Sequence, residues 1–154
     1  MKIAISSDHV GFDLKNLIYE FLKSQGYDCD DLGVHTRDPV DYPDIAHKLA
    51  LEVAQGNYER GILICGTGIG MAIVANKVPT IRAAQIYDIY SAERAMKSNN
   101  AQIVTLGAQT TGVETAKMLV EAWLKSEFTG GRSAPKVEKI DRIDLQYRRS
   151  DNKS

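Results

Sequence analysis

A chain of 154 residues suits one domain with a substantial core and is short for two. Its 44% hydrophobic and 25% charged residues exclude a disordered or fibrous chain. A net charge of -1 gives no electrostatic reason for nucleic acid or an anionic membrane as a partner, and neither is expected.

The first residues, "MKIAISSDH", meet charge too soon for a signal peptide or a membrane span. Cys29 and Cys65 form no C-x-x-C and no metal-ligand spacing. The expectation is a cytoplasmic protein with free thiols and no bound metal. "KIAIS" reads as a strand, and Leu14, Leu17, Ile18, Phe21 and Leu22 then share one helix face that Gly26 terminates. "YDCDDLG" is a second strand, with Cys29 as packing. Pro43 opens a helix to about Gln55 with Ile45, Leu49 and Val53 inward, and His47 is read as structural. "GILIC" is a third, fully buried strand, followed by a short helix from about Ile69 to Asn76. "IRAAQIY" is a fourth strand, with a helix over about Ser91 to Ser98. "AQIVTLG" is a fifth, with a helix over about Val113 to Lys125 that turns Val113, Ala116, Leu119, Val120 and Trp123 inward.

After "FTGGRSAP", a loop able to swing the last segment outward, a charged helix runs from about Ala134 to Arg148. Residues 1–150 form the expected single domain, and 151–154 a disordered tail. Five β-α units without a hairpin signal imply a Rossmann-like, three-layer α/β/α fold around a five-stranded parallel sheet. Ligands then bind at the carboxyl ends of the strands, which selects "SSDHVG", "LGVHTRDPVDYP", "CGTGIG", "YDIYS" and "LGAQTTG".

"CGTGIG" fails each familiar phosphate signature. The dinucleotide fingerprint needs glycine at Met71, a Walker loop needs a lysine, and a cysteine phosphatase needs arginine where Met71 stands. What remains is a glycine turn that aims N–H groups into the crevice. Such a nest holds an anion, or an oxygen that becomes one, and the same field favours a thiolate at Cys65. Packing is the competing role for Cys65. Asp8 and His9 end the first strand, with a cap and a surface histidine as their simpler roles. Asp41 or Asp44 competes with Tyr42 for meaning as a helix cap. Turn chemistry alone explains Asn99 and Asn100, and His35 is assigned nothing.

Taken together, "SDHVGFDLK", "DYPD", "GILICGTGIGMAIVANKVPTIRAA", "NNAQIVTLGAQ" and "GGR" resemble the type B ribose-5-phosphate isomerases, in a family shared with galactose-6-phosphate isomerase subunits. The resemblance runs in order from about Lys2 to Ile140. It implies a cofactor-free, metal-free aldose–ketose isomerase that acts on a small phosphorylated sugar through a cis-enediolate. Cys65 matches the catalytic base, Gly66, Gly68, Ile69 and Gly70 lie in the loop that stabilises the enediolate, and Thr67 matches a contact to the reacting oxygens. Asp8, Tyr42 and Asn99 match positions at the sugar hydroxyls and His9 one near the phosphate. The resemblance further implies a homodimer or tetramer with sites at the subunit interface. The last helix packs on the partner and delivers Arg132 and Lys136 to the partner's phosphate.

Lys136 stands where the family usually has an arginine, keeping the charge but losing the forked donor, and three further positions depart from the family pattern. Ser98 stands where a ring-opening histidine is usual, Ser133 where a histidine follows "GGR", and Gln109 where an arginine ends the "LGxR" segment. A serine hydroxyl does not replace imidazole as an acid or base near neutrality. Ribose 5-phosphate is the default substrate. A tetrose 4-phosphate, which cannot close a furanose ring, and a hexose 6-phosphate are the alternatives, and a non-catalytic sugar-phosphate sensor or partner subunit is the reading from another class.

Overall fold

In the computed structural model, residues 1–149 are described. The expected tail at 151–154 lies outside the described residues.

The strands form where apolar runs are uninterrupted. β1 (Lys2–Ser7), β3 (Arg60–Cys65) and β5 (Ile103–Gly107) each bury five consecutive residues, so both faces of each are covered. β2 (Asp28–Asp31) and β4 (Ala83–Gln85) are shorter than the sequence predicts. Each pairs on one side only, in the order β2-β1-β3-β5-β4, and all pairs are parallel.

The helices cover both faces. α1 (Phe12–Ser24), α4 (Ile89–Lys97) and α5 (Val113–Leu124) bury Leu14, Ile18, Met96, Leu119 and Trp123 against Ile3, Ile5, Ile62 and Val104. α2 (Tyr42–Ala54) and α3 (Ile69–Ala75) bury Leu49, Val53 and Met71 against Ala4, Leu63 and Cys65 on the other face. The three-layer expectation therefore holds. No helix among the described residues is long and apolar enough to cross a membrane.

Two local differences have physical causes. Leu17, expected inward, is 47% exposed, while Lys15 is wholly buried. The Lys15 ammonium pairs with the Asp31 carboxylate at the end of β2, which turns that helix face toward the sheet edge. α4 begins two residues early because Asp88 caps it, its Oδ1 accepting from Ser91 N–H at 2.8 Å. That backbone bond holds the Asp88 carboxyl below its ordinary value.

A 3₁₀ turn over Gly131–Ser133 leads into α6 (Ala134–Arg149). The helix is fastened to its own chain rather than swinging free. Arg82 pairs with Asp141 at 2.6 Å, Thr80 N–H donates to Asp144 Oδ2, and an Arg148 guanidinium N–H donates to Lys77 O. Ile140, Ile143 and Leu145 on α6 remain exposed.

Candidate active site

α1, which follows β1, packs on one face of the sheet, and α3, which follows β3, packs on the other. A crevice therefore opens between the carboxyl ends of β1 and β3, the place where open α/β sheets bind ligands. Asp8, just beyond β1, is buried, and its N–H donates to Ile64 O at 3.2 Å. Its Oδ1 accepts from Gly11 N–H at 2.9 Å, so Asp8 does cap the turn before α1. Gly11 is required there: a Cβ would stand 2.6 Å from Ile64 O. His9 Nδ1 accepts from Val40 N–H at 3.2 Å, which leaves the ring proton on Nε2 as a donor.

Cys65 closes β3, with its side chain on the α2/α3 face and only 6% of the residue exposed. Gly68 N–H donates to its Sγ at 3.1 Å. The next four residues turn sharply, with Gly68 at φ +80°. Every carbonyl from Cys65 to Gly68 is tied back into the protein. Cys65 O and Gly66 O accept from Ala108 N–H and Gln109 N–H, at 2.8 and 3.0 Å. Thr67 O accepts from Gln85 Nε2 and Gly68 O from Thr105 Oγ1, both at 2.7 Å. The N–H groups face a different fate. Ile69 N–H donates to Thr67 Oγ1 at 3.2 Å, and those of Gly66, Thr67 and Gly70 have no partner among the described residues. A loop with its acceptors engaged and three of its donors free is built to receive negative charge.

Tyr42, the first residue of α2, lies across this loop. A Cβ on Gly70 would collide with the Tyr42 ring and stand 2.8 Å from its hydroxyl oxygen. Asp41 precedes the helix without a side-chain capping bond, so the capping role that competed for "DYP" is not used by its carboxylate. Gln109 also belongs here, its Oε1 2.9 Å from where a Gly66 Cβ would sit.

Asn99, Arg132 and Lys136 are elsewhere. They line a cavity of about 420 Å³ together with Ser98 and Ser133. Asn99 precedes β5, whereas Cys65 aligns with Gly107 at that strand's far end. The span from Ile103 to Gly107 alone separates the groups by about 13 Å at the rise of a β-strand. The twelve candidates thus fall into two clusters at opposite ends of the strands, nine beyond the carboxyl ends and three toward the amino ends. Asn100, by contrast, is a turn residue at φ +48°.

Sequence reading missed Thr105, Gln85 and Arg94. The first two read as ordinary strand residues, yet they hold the loop's carbonyls. Arg94, within the predicted helix over about Ser91 to Ser98, lines the Asn99 cavity. Cys29 and Met71 are buried as packing residues.

Comparison with known proteins gives the architecture a lineage. A ribose-5-P isomerase B from Listeria innocua is 53% identical over 96% of this chain and all of its own length. A D-erythrulose-4-phosphate isomerase from Pectobacterium atrosepticum is 54% identical over 95% of this chain and 97% of its own length. The solved ribose-5-phosphate isomerase B of Clostridium thermocellum superposes with a TM-score of 0.93 at 48% identity, covering 96% of this chain and 99% of that one. Residues 3–140 match the family described as Ribose/Galactose Isomerase, and with that agreement of sequence, fold and loop the chain belongs to it.

Proposed function

We propose that the chain is an aldose–ketose isomerase of a phosphorylated sugar, with Cys65 as its proton-transferring base. The observation that carries this is the Cys65 sulfur receiving the Gly68 N–H beside the free N–H groups of Gly66, Thr67 and Gly70. A hydrogen bond of that kind favours negative charge on sulfur. The thiolate takes the proton from the carbon adjacent to the substrate carbonyl, giving a thiol and an enediolate. The free N–H groups of Gly66, Thr67 and Gly70 hold the enediolate oxygens. Returning the same proton to the neighbouring carbon, as a hydroxyl proton passes from one oxygen to the other, completes the isomerisation with no net gain or loss. Thr67 Oγ1 already accepts from Ile69 N–H, so its O–H is left to donate to a reacting oxygen. Asp8, His9 and Tyr42 wall the sugar.

The same reading makes the enzyme a homodimer. The phosphate-binding cations Arg132 and Lys136, with Asn99, sit toward the amino ends of the strands, away from Cys65. A second copy that presents this cluster to the first supplies them, and the exposed Ile140, Ile143 and Leu145 give α6 an apolar face for the contact. Both thiols are free, in keeping with a cytoplasmic location.

Ribose 5-phosphate is the first substrate reading. Ser98 favours a second, a tetrose phosphate such as D-erythrulose 4-phosphate. A hydroxyl lines the cavity where ring opening calls for an imidazole, and a tetrose 4-phosphate has no ring to open. Purified wild type and Cys65→Ala are assayed with ribose 5-phosphate, D-erythrulose 4-phosphate, allose 6-phosphate and galactose 6-phosphate. Turnover of at least one by wild type, and its loss in Cys65→Ala, is expected. Equal turnover by the two proteins rejects the thiol base, and no turnover of any sugar by wild type favours a sensor or partner subunit.

A further inference from the structure

The Asn99 cavity holds more positive charge than the family resemblance assigns to it. Arg94 stands one helical turn before Ser98 on α4 and lines the cavity beside Asn99, Arg132, Ser133 and Lys136. It also lines the adjoining cavity of about 570 Å³ with Arg132. No acidic side chain lines the first cavity. Arg94, Arg132 and Lys136 take no carboxylate partner among the described residues, whereas Lys97 and Lys125 nearby pair with Glu93 and Glu121. Three cations without an ion-pair partner around one cavity repel one another, and an anion entering it relieves that repulsion, although Glu127 lines the adjoining cavity.

Arg94 carries a second mark. Its Nε is buried without a hydrogen-bond partner, while the guanidinium lies 5.7 Å from the centroid of the Tyr90 ring. An enclosed N–H with no acceptor is costly to the folded chain, and native proteins keep few of them. Tyr90 is 73% exposed, so its ring can turn aside and open the guanidinium edge to the cavity. A guanidinium offers two parallel N–H donors to a tetrahedral oxyanion, a geometry that lysine lacks.

We propose that Arg94 is a third phosphate ligand of this half-site, acting with Arg132 and Lys136. It supplies the forked donor that Lys136 cannot, and positive charge beside two positions, Ser98 and Ser133, that carry none. That the phosphate belongs to a sugar rests on the function proposed above; the binding of an anion by Arg94 does not.

The test therefore uses inorganic phosphate first, titrated calorimetrically into full-length wild type, Arg94→Gln, Arg94→Lys and Lys97→Gln, each checked for an unchanged thermal transition. Arg94→Gln is expected to weaken phosphate by about tenfold and Arg94→Lys by less, while Lys97→Gln stays within about twofold of wild type. In assays with the sugar phosphate that wild type turns over, Arg94→Gln raises KM by about tenfold and leaves kcat within about threefold, since the phosphate is bound alike in ground and transition states. Phosphate binding by Arg94→Gln equal to that of wild type overturns the proposal. So does a loss no larger than that in Lys97→Gln, which would mark a general field rather than a ligand, or a wild type that binds no phosphate. If wild type binds phosphate but isomerises no sugar, the functional reading fails alone and the titration still decides the role of Arg94.

Discussion

Gly68 donates its N–H to the Cys65 sulfur at 3.1 Å from a left-handed backbone position, φ +80°. The two facts are one constraint. The turn that brings the N–H onto sulfur also lays Gly68 against Leu106, where a Cβ would meet the Leu106 carbonyl carbon at 2.9 Å. Gly68→Ala therefore adds about 1–2 kcal/mol of backbone strain and a steric clash, and the loop relieves both by shifting. The expected outcome is a lower Tm together with a fall in kcat/KM of about a hundredfold or more, the loss typical of a misplaced oxyanion donor. A variant with lowered Tm but wild-type kcat/KM would show that the loop's geometry does not serve the chemistry.

The buried Cys29 thiol makes stability depend on pH. Burial pushes the Cys29 thiol up from its ordinary 9.0 to about 12. Below about pH 9 the thiol is protonated in both folded and unfolded chains, and its contribution to stability is complete. As pH rises from there toward 12, the unfolded chain releases this proton and the folded chain does not. Stability then falls by about 1.4 kcal/mol per pH unit from this group alone. Urea denaturation at a series of pH values reads it as the difference in slope between wild type and Cys29→Ala. Parallel curves above pH 9 would show that Cys29 ionises equally in both states.

Much of the fold and half of the site are legible in the residues themselves, for physical reasons that also mark where legibility ends. β1, β3 and β5 are central, so covering on both faces demands the unbroken apolar runs that announce them. β2 and β4 are edges with one partner each, and weaker demand leaves their ends blurred. The thiol and glycine loop can be read because strand and turn are contiguous. The carbonyl ties from Gln85 and Thr105 cannot, because they cross from other strands. The separation of Asn99 from Cys65 follows from chain direction, since residues before a parallel strand lie across the sheet from residues after one. Arg94 is hidden because a charged residue on a short helix carries no sign of its buried Nε.

Ser98 sits among Arg94, Asn99 and Lys136 with a hydroxyl where proton transfer to a ring oxygen would need imidazole. Ser98→His places a titratable group in that cavity, at the end of the strands away from Cys65 of the same chain. The ratio of kcat/KM for ribose 5-phosphate to that for D-erythrulose 4-phosphate is expected to rise by about tenfold or more, the lower range of general acid–base contributions. The ratio cancels changes in stability and in phosphate affinity common to both sugars. An unchanged ratio would mean that ring opening does not limit the ribose reaction.

The separation of the two clusters makes its own demand on assembly. If the proposed homodimer draws one half of each active site from each chain, Cys65→Ala destroys one half and Arg132→Ala the other. Either variant alone then has no intact site. When the two are unfolded together and refolded as an equal mixture, half the dimers are mixed. Each mixed dimer holds one site with Cys65 and Arg132 both present and one with neither. Recovered activity is thus expected to approach about a quarter of wild type, from two individually inactive proteins. A site contained within one chain cannot behave this way, because every chain in the mixture is still defective. Activity that stays at the sum of the two variants, with mixed dimers verified by native mass spectrometry, would place Arg132 outside the site that Cys65 serves.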